Sequence, residues 1–182
     1  MQIFETKRLI ARQLGHQDLP ALTEILSDPE VMRYSVRGVC DEKATGEFID
    51  WCMACYSSHR IGPWALLEKS SGDLVGFCGV SPEQVGGVEE VNLGYRLGRR
   101  FWNQGLATEA VQAVIEYVFD QKHCDSVVTI IEPEHLASIR VSEKAGFKDY
   151  SIHEFHGRRV RVYRMAISTG LDISYVSDMS RM

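Results

Sequence analysis

The sequence predicts one mixed α/β (α+β) domain built on a mostly antiparallel sheet. Three observations carry that expectation. Two amphipathic helical stretches come early; a run of alternating strands punctuated by turn residues follows; the second half then reads strand, helix, strand, helix, hairpin. No internal repeat and no linker-like stretch divides the 182 residues. A chain of this length buries roughly 70% of its unfolded surface and needs no disulfides to hold a core. The expected domain is residues 1–168, with 169–182, which lack clear periodicity, as a tail.

Glu5 to Gln13 alternates as a first strand, with Leu9 and Ala11 on one face. Asp18 to Ser27 follows as a helix with an apolar stripe of Leu19, Leu22, Ile25 and Leu26. Pro20 is tolerated only in its first turn, and Asp28-Pro29 stops it. Asp41 is placed to cap a second helix running to about Ser58. Trp64 to Glu68 and Leu74 to Val80 read as strands joined by a turn at Ser70-Ser71-Gly72-Asp73. Pro82, Gly86 and Gly87 make Ser81 to Val88 a predicted loop. Glu90 to Leu97 is the next strand, and Gly94 inside it marks a bulge or a close backbone approach. Gly98 to Gly105 is a loop that feeds an amphipathic helix to Gln121. Ser126 to Ile131 is a buried β-branched strand, and His135 to Ala145 a short helix ended by Gly146. A hairpin, Phe147 to Phe155 and Arg158 to Ile167, turns at His156-Gly157.

Hydrophobic residues make up 45% of the chain and charged residues 25%, as in an ordinary globular domain. The net charge of −5 argues against a protein built to grip nucleic acid. No apolar run approaches the ~18 residues of a membrane span, and the first residues lack a signal-peptide block, so a cytoplasmic location is expected. Five cysteines, Cys40, Cys52, Cys55, Cys78 and Cys124, are an odd number and read as free thiols. Cys52 and Cys55 match C-x-x-C but lie in a helical pattern with no second pair, so no metal site is expected.

The strand–loop–helix from Glu90 to Phe119 carries the chemistry. A helix N-terminus presents unpaired N–H groups and a positive dipole end, and a preceding loop can turn further N–H groups the same way. Gly105 lets an anion approach the backbone, Ala107 keeps the next turn narrow, Thr108 adds a hydroxyl, and Arg99 and Arg100 add charge nearby. The same Gly/Ala start also serves tight packing of a helix on a sheet. Neither G-x-x-x-x-G-K-[ST] nor G-x-G-x-x-G is present, which ranks nucleotide hydrolases and dehydrogenases low.

Asn92-Leu93-Gly94-Tyr95-Arg96-Leu97, followed by Phe101-Trp102-Asn103-Gln104-Gly105-Leu106-Ala107-Thr108-Glu109-Ala110, resembles the acyl-CoA signature of the GNAT acetyltransferases, nearest the RimJ and RimL type. The stretch Glu132-Pro133-Glu134-His135-Leu136-Ala137-Ser138-Ile139-Arg140-Val141-Ser142-Glu143-Lys144-Ala145-Gly146-Phe147 extends the likeness. Glu5-Thr6-Lys7-Arg8-Leu9 and the His156-Gly157 turn fit as well, so it covers residues 5 to 168. The resemblance implies a single GNAT fold with helices on both faces of a sheet splayed at a bulge. It implies acetyl-CoA lying in the gap, its pantetheine beside the strand backbone near Leu97, and its pyrophosphate cradled by amides of Trp102, Asn103, Gln104, Gly105, Leu106, Ala107 and Thr108. Trp102 stands where the family pattern Q/R-x-x-G-x-G/A has Gln or Arg.

Two later positions depart from the family. His135 stands where relatives carry the Asn that bonds the pantetheine arm, and Ser142 where many carry the Tyr that protonates the departing thiolate. Ser138 lies one turn before Ser142 on the same helix face, and either hydroxyl, or water, is a candidate donor. A base must also take a proton from the attacking amine. Glu89 and Glu90 are the candidates, and Glu90 shares a face with Asn92, where relatives often place a carboxylate. Asn92 and Tyr34 are expected on the acceptor side.

The implied activity is transfer of acetyl from acetyl-CoA to a primary amine by direct attack in a ternary complex. The acceptor is a protein N-terminus, such as that of a ribosomal protein, or a small amine. The alternative is a degenerate acyl-CoA-binding protein without turnover. The resemblance admits a homodimer, and neither nucleic acid nor membrane is an expected partner.

Overall fold

A computed structural model of the protein describes residues 1–167; the expected tail at 169–182 lies outside them. The chain runs β1 (Gln2–Glu5), β2 (Leu9–Gln13), α1 (Leu19–Leu26), α2 (Glu42–His59), β3 (Pro63–Glu68), β4 (Leu74–Val85), β5 (Val88–Leu97), α3 (Leu106–Asp120), β6 (Ser126–Ile131), α4 (Leu136–Ala145), β7 (Tyr150–Phe155) and β8 (Arg158–Ala166). One sheet orders them β1-β2-β3-β4-β5-β6-β8-β7, antiparallel except for β5 beside β6. That is the mixed, mostly antiparallel α/β architecture expected from the sequence.

Local chemistry sets the elements. The Asp41 carboxylate accepts from the Ala44 N–H at 2.8 Å and starts α2. Gly146 ends α4 at φ 110°, a conformation that favours glycine. The stretch predicted as one strand, Glu5 to Gln13, is instead a hairpin. The Thr6 hydroxyl accepts from the Leu9 N–H at 3.0 Å and the Thr6 N–H donates to the Leu9 carbonyl at 2.8 Å, so residues 6–8 turn the chain. Leu9 and Ala11 do share the buried face.

Two further expectations are corrected. Ser81 to Val88 is not a loop: β4 continues through Pro82 to Val85, and only Gly86-Gly87, both at positive φ, form the turn into β5. Proline is accommodated because β3 stops pairing at Pro63↔Gly79, so beyond Gly79 one side of β4 has no strand to receive an N–H. Gly94 does not bulge the β4–β5 ladder either, whose register runs unbroken from Gly76↔Leu97 to Val85↔Val88. The opening is on the other side. β5 meets β6 at the single pair Asn92↔Val128, and the Leu93 carbonyl takes a hydrogen bond from the Thr129 hydroxyl at 3.3 Å.

Opposite residues of an antiparallel pair share a face, and neighbours along a strand alternate. Phe77, opposite Arg96, packs its ring 4.9 Å from Phe48 of α2. Tyr95, next in sequence, bonds Ser138 of α4. Helices α2 and α4 therefore cover opposite faces, and α1 packs with α2 as α3 does with α4. Trp64, Tyr163 and Phe147 are among the largest fully buried side chains, each contributing roughly 2–3 kcal/mol of burial. All five cysteines are free, four of them buried. No helix among the described residues is long and apolar enough to cross a membrane.

Candidate functional site

The loop between β5 and α3 is turned by two left-handed residues, Asn103 at φ 60° and Gly105 at φ 76°. Alternating handedness points successive N–H groups toward one side. Among the described residues, no main-chain acceptor receives the N–H groups of residues 103–108; the first bond of α3 is Glu109 N–H to the Gly105 carbonyl, at 3.1 Å. Six consecutive donors are thus left at the positive end of a 15-residue helix.

The loop is braced from below. Arg8 donates to the Gln104 carbonyl at 2.7 Å and to Glu109 Oε1 at 2.9 Å, and the Thr6 hydroxyl donates to Glu109 Oε2 at 2.6 Å. Burial opposes the charge on Glu109, but the Thr6 and Arg8 bonds hold its carboxyl below the ordinary range. Arg99 and Arg100, expected to add charge for an anion, are committed elsewhere. Arg99 pairs with Asp28, and Arg100 with Asp73 at 3.0 Å. The Trp102 indole donates to the Leu97 carbonyl at 2.9 Å, so that carbonyl is already engaged. Leu106 is buried, and Ala107 and Thr108 half-buried, in the first turn.

The gap between β5 and β6 is a cavity of about 280 Å³. Tyr95, Thr129, His135 and Ser138 line it, together with Tyr34 to Arg37 of the α1–α2 connection. The Tyr34 ring stacks on His135 with centroids 4.1 Å apart and planes 13° apart. Burial, helped by the Arg96 charge, lowers the His135 pKa to about 4, so its imidazole is neutral at pH 7. Tyr95 and Ser138 share a hydrogen bond of 3.0 Å, and burial pushes the Tyr95 phenol up. Ser142 is buried one turn further along and is not among the cavity residues.

A second cavity, about 230 Å³, lies on the α2 side of β4 and β5 and shares lining residues with the first, among them Arg37, Glu83, Asn92, Gly94 and Arg96. The two meet at Gly94, where a Cβ would find nothing within 4 Å. Asn92 Oδ1 faces this region as the one buried side-chain polar atom among the described residues with no partner. Such an acceptor costs about 1–3 kcal/mol unless something donates to it.

Glu90, expected from the sequence as a base, accepts from two nitrogens of Arg164 at 2.6 and 2.8 Å, which lowers its pKa, and it lines neither cavity. Glu83, directly opposite it on β4, lines both. Sequence reasoning missed Glu83 because it fell in the presumed loop. Gly86-Gly87 as a two-residue hairpin turn was the signal that places it. Tyr95 and Arg96 were passed over as ordinary strand positions.

Comparison with known proteins bears on this arrangement. A family model described as "Acetyltransferase (GNAT) domain" matches residues 8–148. An uncharacterized protein YkkB of Bacillus subtilis is 32% identical over 78% of this chain and 82% of its own length. An uncharacterized N-acetyltransferase p20 of Bacillus licheniformis is 28% identical over 92% and 96%. Among solved structures, a GNAT-family acetyltransferase from Bacillus anthracis superposes with a TM-score of 0.78 at 26% identity, covering 91% of this chain and 98% of that one. RimL, a ribosomal L7/L12 alpha-N-protein acetyltransferase solved with coenzyme A, superposes at 0.76 over 92% and 98%; at 15% identity it shows the fold alone. The chain belongs to the GNAT acetyltransferase family.

Proposed function

We propose that the protein transfers an acetyl group from acetyl-CoA to a primary amine by direct attack within a ternary complex. The observation that carries this reading is the run of unpaired N–H groups at residues 103–108 beside the β5–β6 opening. These donors, with the Thr108 hydroxyl, suit a diphosphate, and the 280 Å³ cavity suits the arm that follows it. When bound, acetyl-CoA supplies the acyl carbon and a thiolate leaving group.

The residues divide the proton work between the two faces. On the α2 face, Asn92 Oδ1 accepts one N–H of the incoming amine and Glu83 takes the proton that the nitrogen must lose. As the C–N bond forms and the C–S bond breaks, Ser138 on the α4 face gives a proton to sulfur and takes one from the Tyr95 hydroxyl, which regains its own from solvent, to which Glu83 releases the amine's proton. Ser138 is favoured over Ser142 because it lines the cavity. His135, neutral and stacked on Tyr34, keeps one N–H for the pantetheine arm. No cysteine is poised as a nucleophile: burial pushes the Cys52 and Cys78 thiols up.

The test is release of free CoA thiol from acetyl-CoA across a panel of primary amines, with binding measured in parallel. Amine-dependent release supports the reading. Tight CoA binding with no release from any amine contradicts it and leaves the alternative, an acyl-CoA binder without turnover.

A further inference from the structure

The α2 side of the opening carries two cations that no carboxylate among the described residues answers. Arg96 donates to the Tyr95 carbonyl at 2.7 Å and enters no ion pair there. The Arg37 guanidinium lies 5.5 Å from the Phe48 ring centroid, likewise unpaired among the described residues. Both line both cavities. Arg8, Arg12, Arg99, Arg100, Arg158 and Arg164 each have a carboxylate; Arg33, Arg60, Arg140, Arg159 and Arg161 pair with none among the described residues but, unlike Arg37 and Arg96, line neither cavity. Arg96 is half-buried, and desolvation lowers its pKa from the ordinary arginine value. A cation withdrawn from water and left without a counter-charge is costly, and the cost is recovered when a ligand brings the anion.

The pocket is also polar along its length. Glu83, Ser81 and Gly79 on β4 stand opposite Glu90, Asn92 and Gly94 on β5, with Arg96 two residues further along. The acceptor groups Glu83 and Asn92 therefore sit at one end of a single sheet face, and the guanidinium of Arg96 at the other. Asn92 and Arg96 are four residues apart, roughly 13 Å along the strand. Between them lies the open space over Gly94. An ammonium at the Glu83–Asn92 end and an oxyanion at the Arg96 end would satisfy the orphaned Asn92 oxygen and the unanswered cation together. A guanidinium fork is shaped for carboxylate or phosphate oxygens.

We infer that the amine accepted at this site belongs to a molecule that also carries an anionic oxygen group, a carboxylate or a phosphate, held by Arg96 with Arg37. The role as acceptor rests on the acetyl-transfer reading above; the binding does not. The same charge pattern disfavours polycations, because their second ammonium would face Arg96.

The experiment uses the full chain saturated with CoA and matched pairs of amines. They are γ-aminobutyrate against butylamine, phenylalanine against phenethylamine, and phosphoethanolamine against ethanolamine, with spermidine as the polycation. Calorimetry reads binding, and thiol release from acetyl-CoA reads turnover. The acid-bearing member of at least one pair should bind roughly tenfold or more tightly than its partner, and the pair that responds tells carboxylate from phosphate. Arg96→Gln should erase that preference, Arg96→Lys should keep part of it, and Arg37→Gln should reduce it, all with unchanged CoA affinity. Equal binding within every pair, no binding of any amine, or a preference that survives in the Arg37→Gln/Arg96→Gln double variant overturns the inference. Preferential binding without thiol release overturns the transferase reading and leaves the inference standing. Equal binding within every pair, together with amine-dependent thiol release, does the reverse.

Discussion

Glu83 and Glu90 stand directly opposite one another across β4 and β5, yet only Glu90 is neutralised, by two nitrogens of Arg164 at 2.6 and 2.8 Å. Like charges facing across a strand pair repel, and pairing one of them relieves the conflict. The other, Glu83, lines both cavities, whereas Glu132, on the first, is paired with Arg158.

Glu83→Gln keeps the shape of the site and removes the base. Turnover should fall roughly a hundredfold or more, while CoA affinity measured by calorimetry stays the same. Glu90→Gln should affect turnover far less. Equal losses in the two variants would reassign the base.

The proton donor is tested by three variants on the other face. Ser138→Ala should lower kcat more than KM changes, and Tyr95→Phe should lower it by a smaller factor, because Tyr95 acts through Ser138 at 3.0 Å. Ser142→Ala should leave kcat nearly intact, since its hydroxyl is buried outside the cavity. A kcat loss confined to Ser142→Ala would restore that serine as the acid.

His135 gives a pH signature. Its folded-state pKa, about 4, lies below the ordinary histidine value of 6.5, so the unfolded chain binds the extra proton first as pH falls. The group's contribution to stability is intact above pH 6.5 and is lost as pH falls from there towards 4. His135→Asn should flatten that part of the Tm–pH curve. The His135 ring resonances should show no titration between pH 6 and 8; a midpoint near 6.5 would contradict the half-buried, neutral stack on Tyr34.

How much of this was legible in the sequence depends on how local each feature is. The loop from Gly98 to Gly105 and the helix after it were readable because a glycine-turned helix start is decided within about one turn of chain. His135 came from the family resemblance, and Ser138 from lying one turn before Ser142 on the same short helix. Glu83 was not readable as a site residue, because its place depends on a register spanning Val85↔Val88 to Gly76↔Leu97 and on β3 ending early enough to admit Pro82. Tyr95 finds its partner 43 residues away, and no periodicity announces that contact. Arg96 looked like an ordinary strand cation until the fold placed it on both cavities without an ion-pair partner among the described residues.

Two glycines facing each other across β4 and β5 should respond oppositely to a side chain. A Cβ on Gly79 would fall 2.0 Å from the Gly62 carbonyl oxygen, whereas one on Gly94 meets nothing within 4 Å. Gly79→Ala should cost about 1–3 kcal/mol by denaturant unfolding. Gly94→Val should fold with little loss and abolish turnover by filling the space where the two cavities meet. Full activity in Gly94→Val would remove the reaction from that opening.

The diphosphate cradle is tested most directly by amide NMR. Titration of the full chain with CoA should move the ¹H–¹⁵N resonances of residues 103–108 saturably, with the largest changes at Gly105 and Leu106. Pantetheine, which lacks the diphosphate, should leave them in place while still shifting residues of the β5–β6 opening. CoA binding that leaves those six amides unmoved would contradict the account.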